Sequence, residues 1–429
     1  MPIILLFFVK KIGIFRSKNN KKLIKTEFMG RVKQLMMEME EHDYTGFSKG
    51  EKYVCTHHFD DKYLNQYIQE NSEDGICSYC HRKERVIDIS ALADHIGMTI
   101  SIFFNDVDSE GLPLASSYYD DDKEEIPGIK RVGCFAVPEK TEVYEDTSEM
   151  MEDLGLHTEC EELNEDMDHL FEDNMWVKKD PFELWWNEEK EKQWNEFSEN
   201  VKHLRRYTFW TALHDDAGYK EDILTDLNDC ICNSKEIFVS LPVGTLIYRT
   251  RSLNYKLDDK FGFKDITSAP AASAGQCRMS PAGVSMFYGA FDKETAIEES
   301  IKSKDEICLV VGEFSTIKEL NVVDLMKLPH NMSIWMDNWQ GYSFLKAFHK
   351  DITQPLHADG KEEIEYVPSQ IFTEYLRWIF KDKSGKNIDG LIYQSCKTKK
   401  ANIVLFSDNE SSKKWIELVK HYPEKRHDK

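Results

Sequence analysis

No apolar run in this 429-residue chain is longer than seven residues. A membrane-spanning helix needs about twenty, so none is expected. The run of seven, Ile3 to Val9, resembles a signal-peptide core, but no positive charge precedes it and no small-residue cleavage site follows. Met29-Gly30 opens a polar, helix-prone stretch that reads like an ordinary start. Residues 1–28 are therefore expected to be a disordered leader or an over-extended start. Positive charge is also scarce. Lys and Arg number 55 against 77 Asp and Glu, a net charge of -22. Such a chain repels phosphate backbones and anionic membranes, so neither nucleic acid nor membrane is an expected partner. The basic run from Lys10 to Lys25 falls in the segment just set aside. No internal repeat is found.

Hydrophobic residues make up 41% of the chain and aromatics 12%, enough for a buried core, and the length suggests two or three domains. The ten cysteines do not form a secreted disulfide framework. Three cluster with histidines, and most of the others sit singly among apolar neighbours, as buried thiols do. A reducing, cytoplasmic setting is expected.

The reading along the chain is α+β. A small metal-binding block is expected over 29–104, with Lys33 to Met39 helix-prone, Val86 to Ile96 a strand or turn leading into a helix, and Ile100 to Phe104 a β-prone run. Residues 105–138 read as an acidic linker, rich in glycine, proline and the Asp120–Asp122 triplet. A helical domain is expected over 139–236. Its acidic stretch Glu139 to Asp173 reads as short solvated helices. Its clearest helix lies within Phe182 to Tyr207, where Trp194, Phe197, Val201 and Leu204 share one face. Residues 237–429 form the last domain, mixed α/β. Its β-prone runs are Thr245–Thr250, Ser285–Gly289, Ile307–Glu313, Gly390–Gln394 and Asn402–Phe406; its helical stretches are Lys293–Ser303, Ser343–Lys350 and Ser369–Phe380.

Cys55-Thr-His-His58 and Cys77-Ser-Tyr-Cys80 are knuckle-like pairs whose spacing lets both residues of each turn face one ion. Cys55, His58, Cys77 and Cys80 are the expected zinc ligands, with His57 and His81 as substitutes. Four protein ligands close the coordination sphere, so the zinc would be structural. It would hold together a block too small to rest on its own core.

The last domain carries the chemistry. Arg249 ends a β-prone run, and Arg278 precedes a Ser-Pro-Ala-Gly turn. Two fixed guanidinium forks suit a diphosphate. Tyr288 ends another β-prone run, Asp292 is placed to cap the following helix, and Glu299 lies two turns along it. This combination suits a phosphate-bearing nucleoside whose glycosidic bond is to be broken. Arg251 is an alternative to Arg249, and Glu298 to Glu299. His330, His349 and His357 lie in the long stretch between Glu299 and Ser395, and any of them could approach the site.

These residues carry a resemblance. Arg278 before a Pro-Gly turn, Tyr288 ten residues on and Glu299 eleven further resemble the central signature of the RES family. Tyr248-Arg249 matches that family's early Tyr-Arg strand, and Ser395 its late Ser, with Ser300 as the alternative. The similarity covers roughly residues 240 to 410, while the Cys/His knuckles and aromatic helices before it resemble the HEPN/RES N-terminal region. The resemblance implies a fold similar to ADP-ribosyltransferases and an enzyme that destroys NAD, releasing nicotinamide with phosphate or water as acceptor. It implies that Arg249 and Arg278 grip the pyrophosphate, with Tyr248 and Arg251 alongside. Tyr288 would pack against the nicotinamide or its ribose, Glu299 would offset the cationic transition state, and Ser395 would hydrogen-bond nearby. Tyr366-Val-Pro-Ser-Gln370 is family-like too and reads as support for the site. A toxin or stress and defence effector is expected, held by its own N-terminal half, a trigger protein or an antitoxin; a homo-oligomer is left open. Transfer of ADP-ribose to a macromolecule is the alternative activity, and a non-catalytic interaction protein the other class. RNA cleavage by the helical domain is disfavoured, because Arg206 and His214 are eight residues apart, too wide for an active HEPN pair.

Overall fold

The computed structural model describes residues 50–117, 127–171, 173–208, 221–253, 261–301, 308–355 and 361–424. The expectations for residues 1–28, Lys33–Met39, Asp120–Asp122, His214 and His357 lie outside these. Two units are distinct. The first comprises residues 1–184 with Ser333–Asp337, and the second residues 185–332 with 338–429.

In the first unit the chain runs β1 (Tyr53–Cys55), α1 (Lys62–Glu70), β2 (Glu73–Ile76), β3 (Lys83–Asp88), α2 (Ile89–Phe103) and β4 (Phe104–Asp106). It continues through β5 (Ile129–Val132), β6 (Phe135–Pro138), β7 (Val143–Tyr144), α3 (Thr147–Asp153), α4 (Glu161–His169) and β8 (Trp176–Lys178). Strands β1, β3 and β2 pair antiparallel in that order, and β4, β8 and β7 form a second antiparallel sheet. Aspartates start several helices: the Asp61 carboxylate accepts from the Tyr63 and Leu64 amides, and Asp88 from Ser90. Leu92, Ile96 and Ile100 make one buried stripe, and that stripe carries α2 through to Phe103. The β-prone run expected over Ile100–Phe104 is therefore mostly helix; only Phe104 begins a strand. The apolar faces of α1 to α4 meet in one cluster that includes Leu64, Ile96, Met150, Leu163 and Met167. Trp335 of the Ser333–Asp337 segment joins this cluster, and its indole N–H donates to the Leu154 carbonyl at 3.3 Å. The span 105–138 holds more than a linker. It contains the β5–β6 hairpin, and its Val107, Leu112, Val132 and Val137 pack with Val177.

The second unit begins with α5 (Trp186–His203) and α6 (Glu221–Asn233), then β9 (Phe238–Leu241), β10 (Leu246–Leu253), α7 (Phe263–Ile266), β11 (Phe287–Ala290), α8 (Lys293–Ser300), β12 (Cys308–Thr316) and β13 (Leu320–Asp324). It ends with α9 (Trp339–Ile352), α10 (Glu362–Glu365), α11 (Val367–Trp378), β14 (Gly390–Gln394), β15 (Ala401–Leu405) and β16 (Ile416–Glu424). Eight strands form one mixed sheet in the order β16-β12-β10-β11-β15-β14-β13-β9. Only β13 and β14 run parallel; every other neighbouring pair is antiparallel. Side chains on one face, among them Ile247, Phe287, Phe314, Ile392 and Ile403, make the sheet's main apolar cluster. Gly289 is required where β10 meets β11, since a Cβ there would lie 2.5 Å from Ile247 Cγ2.

The boundary at Trp185 divides the span expected as one helical domain, 139–236, because α5 packs with the later helices. Trp194 of α5 meets Phe348 of α9 edge-on at 4.8 Å between ring centroids and donates to Asp351 Oδ2 at 2.8 Å. Phe348 in turn meets Phe372 of α11 at 4.5 Å. Trp194, Phe197 and Val201 are buried as expected, but Leu204 follows the helix end and is exposed. Residues expected only as connections supply β9, β13 and β16.

Candidate active site and candidate metal centre

Helix α8 starts where Asp292 Oδ1 accepts the Thr295 amide at 3.0 Å, and this cap fixes which helix face turns toward the sheet. Glu298 is exposed, while the half-buried Glu299 turns inward. Its Oε1 accepts from Ser395 Oγ at 2.6 Å and from Asn402 Nδ2 at 2.9 Å. It makes no ion pair among the described residues. Ser300, the rival of Ser395, spends its hydroxyl on the Thr250 and Ala296 carbonyls of the backbone.

Ser395 is fully buried in the turn after β14. While donating to Glu299, its oxygen accepts the Lys397 and Thr398 amides at 3.2 and 3.1 Å. The hydroxyl is thus held at both ends, and the turn itself is tied down. His349 of α9 accepts the Gln394 amide through Nε2 at 3.2 Å. Burial lowers this imidazole to about 4, and the bond requires an unprotonated Nε2. Of the three histidines considered from sequence, His349 supports the Ser395 turn, whereas His330 is exposed.

Arg278 sits on the segment between Cys277 and Ser280, which α11 holds from below. Ser369 Oγ donates to the Arg278 carbonyl at 2.6 Å, and Gln370 Nε2 to the Cys277 carbonyl at 2.9 Å. The Tyr366 ring lies 5.0 Å from the guanidinium carbon. The Tyr366–Gln370 passage therefore supports the Arg278 turn. The guanidinium donates through Nη1 to the Ile352 carbonyl at 2.9 Å and through Nη2 to the Gln354 carbonyl at 2.8 Å. Those carbonyls close the C-terminal end of α9, where a cation is favoured. Two of the five guanidinium donors are thus spent on the fold.

Arg249, in β10, donates through Nη1 to the Tyr288 carbonyl at 2.6 Å and stands over the Phe287 ring. Its Nε is buried without a hydrogen-bond partner among the described residues. Burial lowers the group to about 10, with Arg251 pushing the same way against Cys277 and Tyr288, so it stays charged at neutral pH. Arg251 donates to the Asp265 carbonyl of α7, away from these partners. Tyr248 is half-buried and pairs across the sheet with Ala290 and Glu313. The Tyr288 hydroxyl shares a hydrogen bond with Ser280 Oγ at 2.8 Å, and burial keeps this phenol well above its ordinary range.

Tyr393 joins these groups. It is buried in β14; burial raises its phenol, Glu299 pushes it further, and Arg278 opposes. Neither Tyr393 nor Asn402 stood out in the sequence. The available signal was the single polar residue heading the apolar run Asn402–Phe406, and a tyrosine two residues before Ser395.

The metal-binding expectation has a compact counterpart. One ligand atom from each of Cys55, His58, Cys77 and Cys80 lies within 4.8 Å of the others. His58 Nε2 is 3.4 Å from Cys77 Sγ, and Cys55 Sγ is 3.5 Å from Cys80 Sγ. Ligands about 2.1–2.3 Å from a tetrahedral zinc lie roughly 3.5–3.8 Å apart, so this donor set fits the ion. The two knuckles are joined by backbone. The Ser78 amide donates to the Tyr53 carbonyl at 2.8 Å, and the Tyr53 amide to Ser78 Oγ at 2.9 Å. A left-handed His81, with φ of 59°, completes the second knuckle and is exposed. His57 instead lies 3.0 Å from Glu84, and Cys55, His57 and Glu84 form a second, more exposed set of donors. Tyr79, between the two knuckle cysteines, donates to Asp166 of α4 at 2.8 Å, and Lys52 pairs with the same carboxylate.

Residues 246–423 match the model of the RES domain. The chain therefore carries a RES domain, and RES domains are generally NAD-utilising, enzyme-like and toxin-like. Ahead of it, residues 70–216 match HEPN/RES N-terminal domain 1. No curated protein and no solved structure matches the chain. No helix among the described residues is long and apolar enough to cross a membrane.

Proposed function

We propose that the RES domain cleaves the nicotinamide–ribose bond of NAD and passes the ADP-ribosyl group to phosphate or water. The observation that carries this reading is Glu299. It is a half-buried carboxylate with no cationic partner among the described residues, aimed by Ser395 and Asn402. Breaking the C1′–N bond sends its electron pair into the pyridinium, so nicotinamide leaves neutral and the ribose becomes cation-like. A fixed carboxylate beside the sugar offsets that charge. The acceptor oxygen then bonds to C1′ and loses its proton. Tyr288 and Tyr393 wall the site with phenols that stay protonated. Arg249 supplies positive charge toward the diphosphate. Arg278 adds to it with the donors left over from holding α9. The fold of this domain is proposed to be similar to ADP-ribosyltransferases.

In this reading the Cys55–His58–Cys77–Cys80 set holds a structural zinc, and the N-terminal half restrains a toxin or defence effector until a trigger or antitoxin changes state. The test is incubation of the purified chain with NAD and phosphate, beside Arg278→Ala and Glu299→Ala. The expected product is ADP-ribose 1″-phosphate, or ADP-ribose if water is the acceptor, with a rate loss of about 10²-fold or more for Glu299→Ala. A labelled macromolecule would point to transfer instead, and undiminished NAD loss in both variants would overturn the site.

A further inference from the structure

We propose that Asn402 is a positioning residue for Glu299: its amide and the Ser395 hydroxyl hold one carboxylate oxygen so that the other faces the substrate. The inference rests on the proposed NAD cleavage. Asn402 is 5% exposed and lies in β15, between Ala290 of β11 and Tyr393 of β14. Its Nδ2 and Ser395 Oγ converge on the same atom, Glu299 Oε1, at 2.9 and 2.6 Å. Two donors on one oxygen restrict rotation of the carboxylate, and neither of them engages Oε2. They also approach from different elements, a strand and a turn, so the carboxylate direction is fixed relative to the sheet as well as to α8.

The other end of the amide argues that this arrangement serves the site more than the fold. Asn402 Oδ1 is buried with no hydrogen-bond partner among the described residues. A buried polar atom left unpaired is unfavourable. An apolar residue would suit this interior strand position, flanked by Ile403, Val404 and Leu405, all fully buried. What an apolar residue cannot supply is the donor on Glu299. The amide orientation follows from the same contact, since a carboxylate accepts and only the NH2 end can donate.

Three proteins test this: wild type, Asn402→Ala and the nearly isosteric Asn402→Asp. For Asn402→Ala, kcat is expected to fall about 10–100-fold with KM for NAD within about twofold, as for a misaimed group, with the protein still fully folded at the assay temperature. Asn402→Asp places a second carboxylate at hydrogen-bond distance from Glu299, where both cannot be charged. Its acid limb of kcat/KM should therefore move to higher pH by about a unit or more, and alkaline buffer should not restore the wild-type rate, because the introduced carboxylate then has no proton to donate. Unchanged kcat in Asn402→Ala, or a pH profile for Asn402→Asp that overlays wild type, overturns the proposal. So does a rate loss accompanied by an equal loss of folded protein in both variants. A wild type that consumes no NAD would instead remove the activity on which the inference stands.

Discussion

The proposed function has Arg278 serve the fold and the substrate at once, and the two roles can be separated by replacing it. Arg278→Ala removes two hydrogen bonds from a cation to the Ile352 and Gln354 carbonyls, at 2.9 and 2.8 Å, and the contact with the Tyr366 ring. A hydrogen bond to a charged group contributes about 1.5–3 kcal/mol, but the Gln354 bond is exposed and counts for less. A net loss of about 2–4 kcal/mol is expected, and at about 2–4 °C per kcal/mol for a domain of this size the melting temperature should fall by roughly 5–15 °C. Arg278→Lys keeps the charge and can reach one carbonyl at a time, so it should recover part of the stability and little of the activity. Differential scanning calorimetry and NAD consumption on the same preparations give both quantities. If Arg278→Ala melts with wild type, the guanidinium does not hold the end of α9 and the dual role is refuted. A variant as active as wild type but less stable would leave only the structural half.

Two further outcomes follow from the geometry. His349 should make the RES domain acid-sensitive: the unfolded imidazole binds a proton near 6.5 and the folded one only near 4, so the unfolded state carries more protons in between and stability falls as pH falls through that window. The loss, at most about 3 kcal/mol from a shift of that size, should shrink in His349→Gln when unfolding is followed by urea titration between pH 7 and 4. For the metal centre, elemental analysis should find one zinc per chain, abolished in Cys77→Ser. Removing it with a chelator should lower the first unit's melting temperature and leave the RES domain transition in place; a metal-free protein of unchanged stability would refute the structural role.

Much of the candidate site was legible in the sequence because its members stand in local contexts that short-range rules describe. The Asp292 cap sets the phase of α8, the Arg278 turn and the Tyr288 strand are recognisable from a few residues, and the two knuckles carry their own ligand spacing. Glu298 and Glu299 could not be told apart that way, since both lie off the face shared by Ile297 and Ile301. What decided between them was the burial of one side chain against Ser395 and Asn402, about a hundred residues later in the chain.

The missed elements have the same origin. β9, β13 and β16 are short or weakly patterned, and they become strands because a neighbour supplies their ladder: β13 lies between β9 and β14, and β16 pairs along β12. Likewise α5 reads as part of a separate helical domain until Phe348 and Asp351 are seen to receive Trp194. Local sequence determined the chemistry present in this chain: the Cys and His donors of the knuckles, a pair of arginines, a tyrosine and two adjacent glutamates. Tertiary structure alone decided how each is used, because hydrogen-bond donors and acceptors are matched across the sheet. That matching spends two of the five Arg278 donors on a helix end, seals Ser395 inside a turn, and brings Asn402 to Glu299.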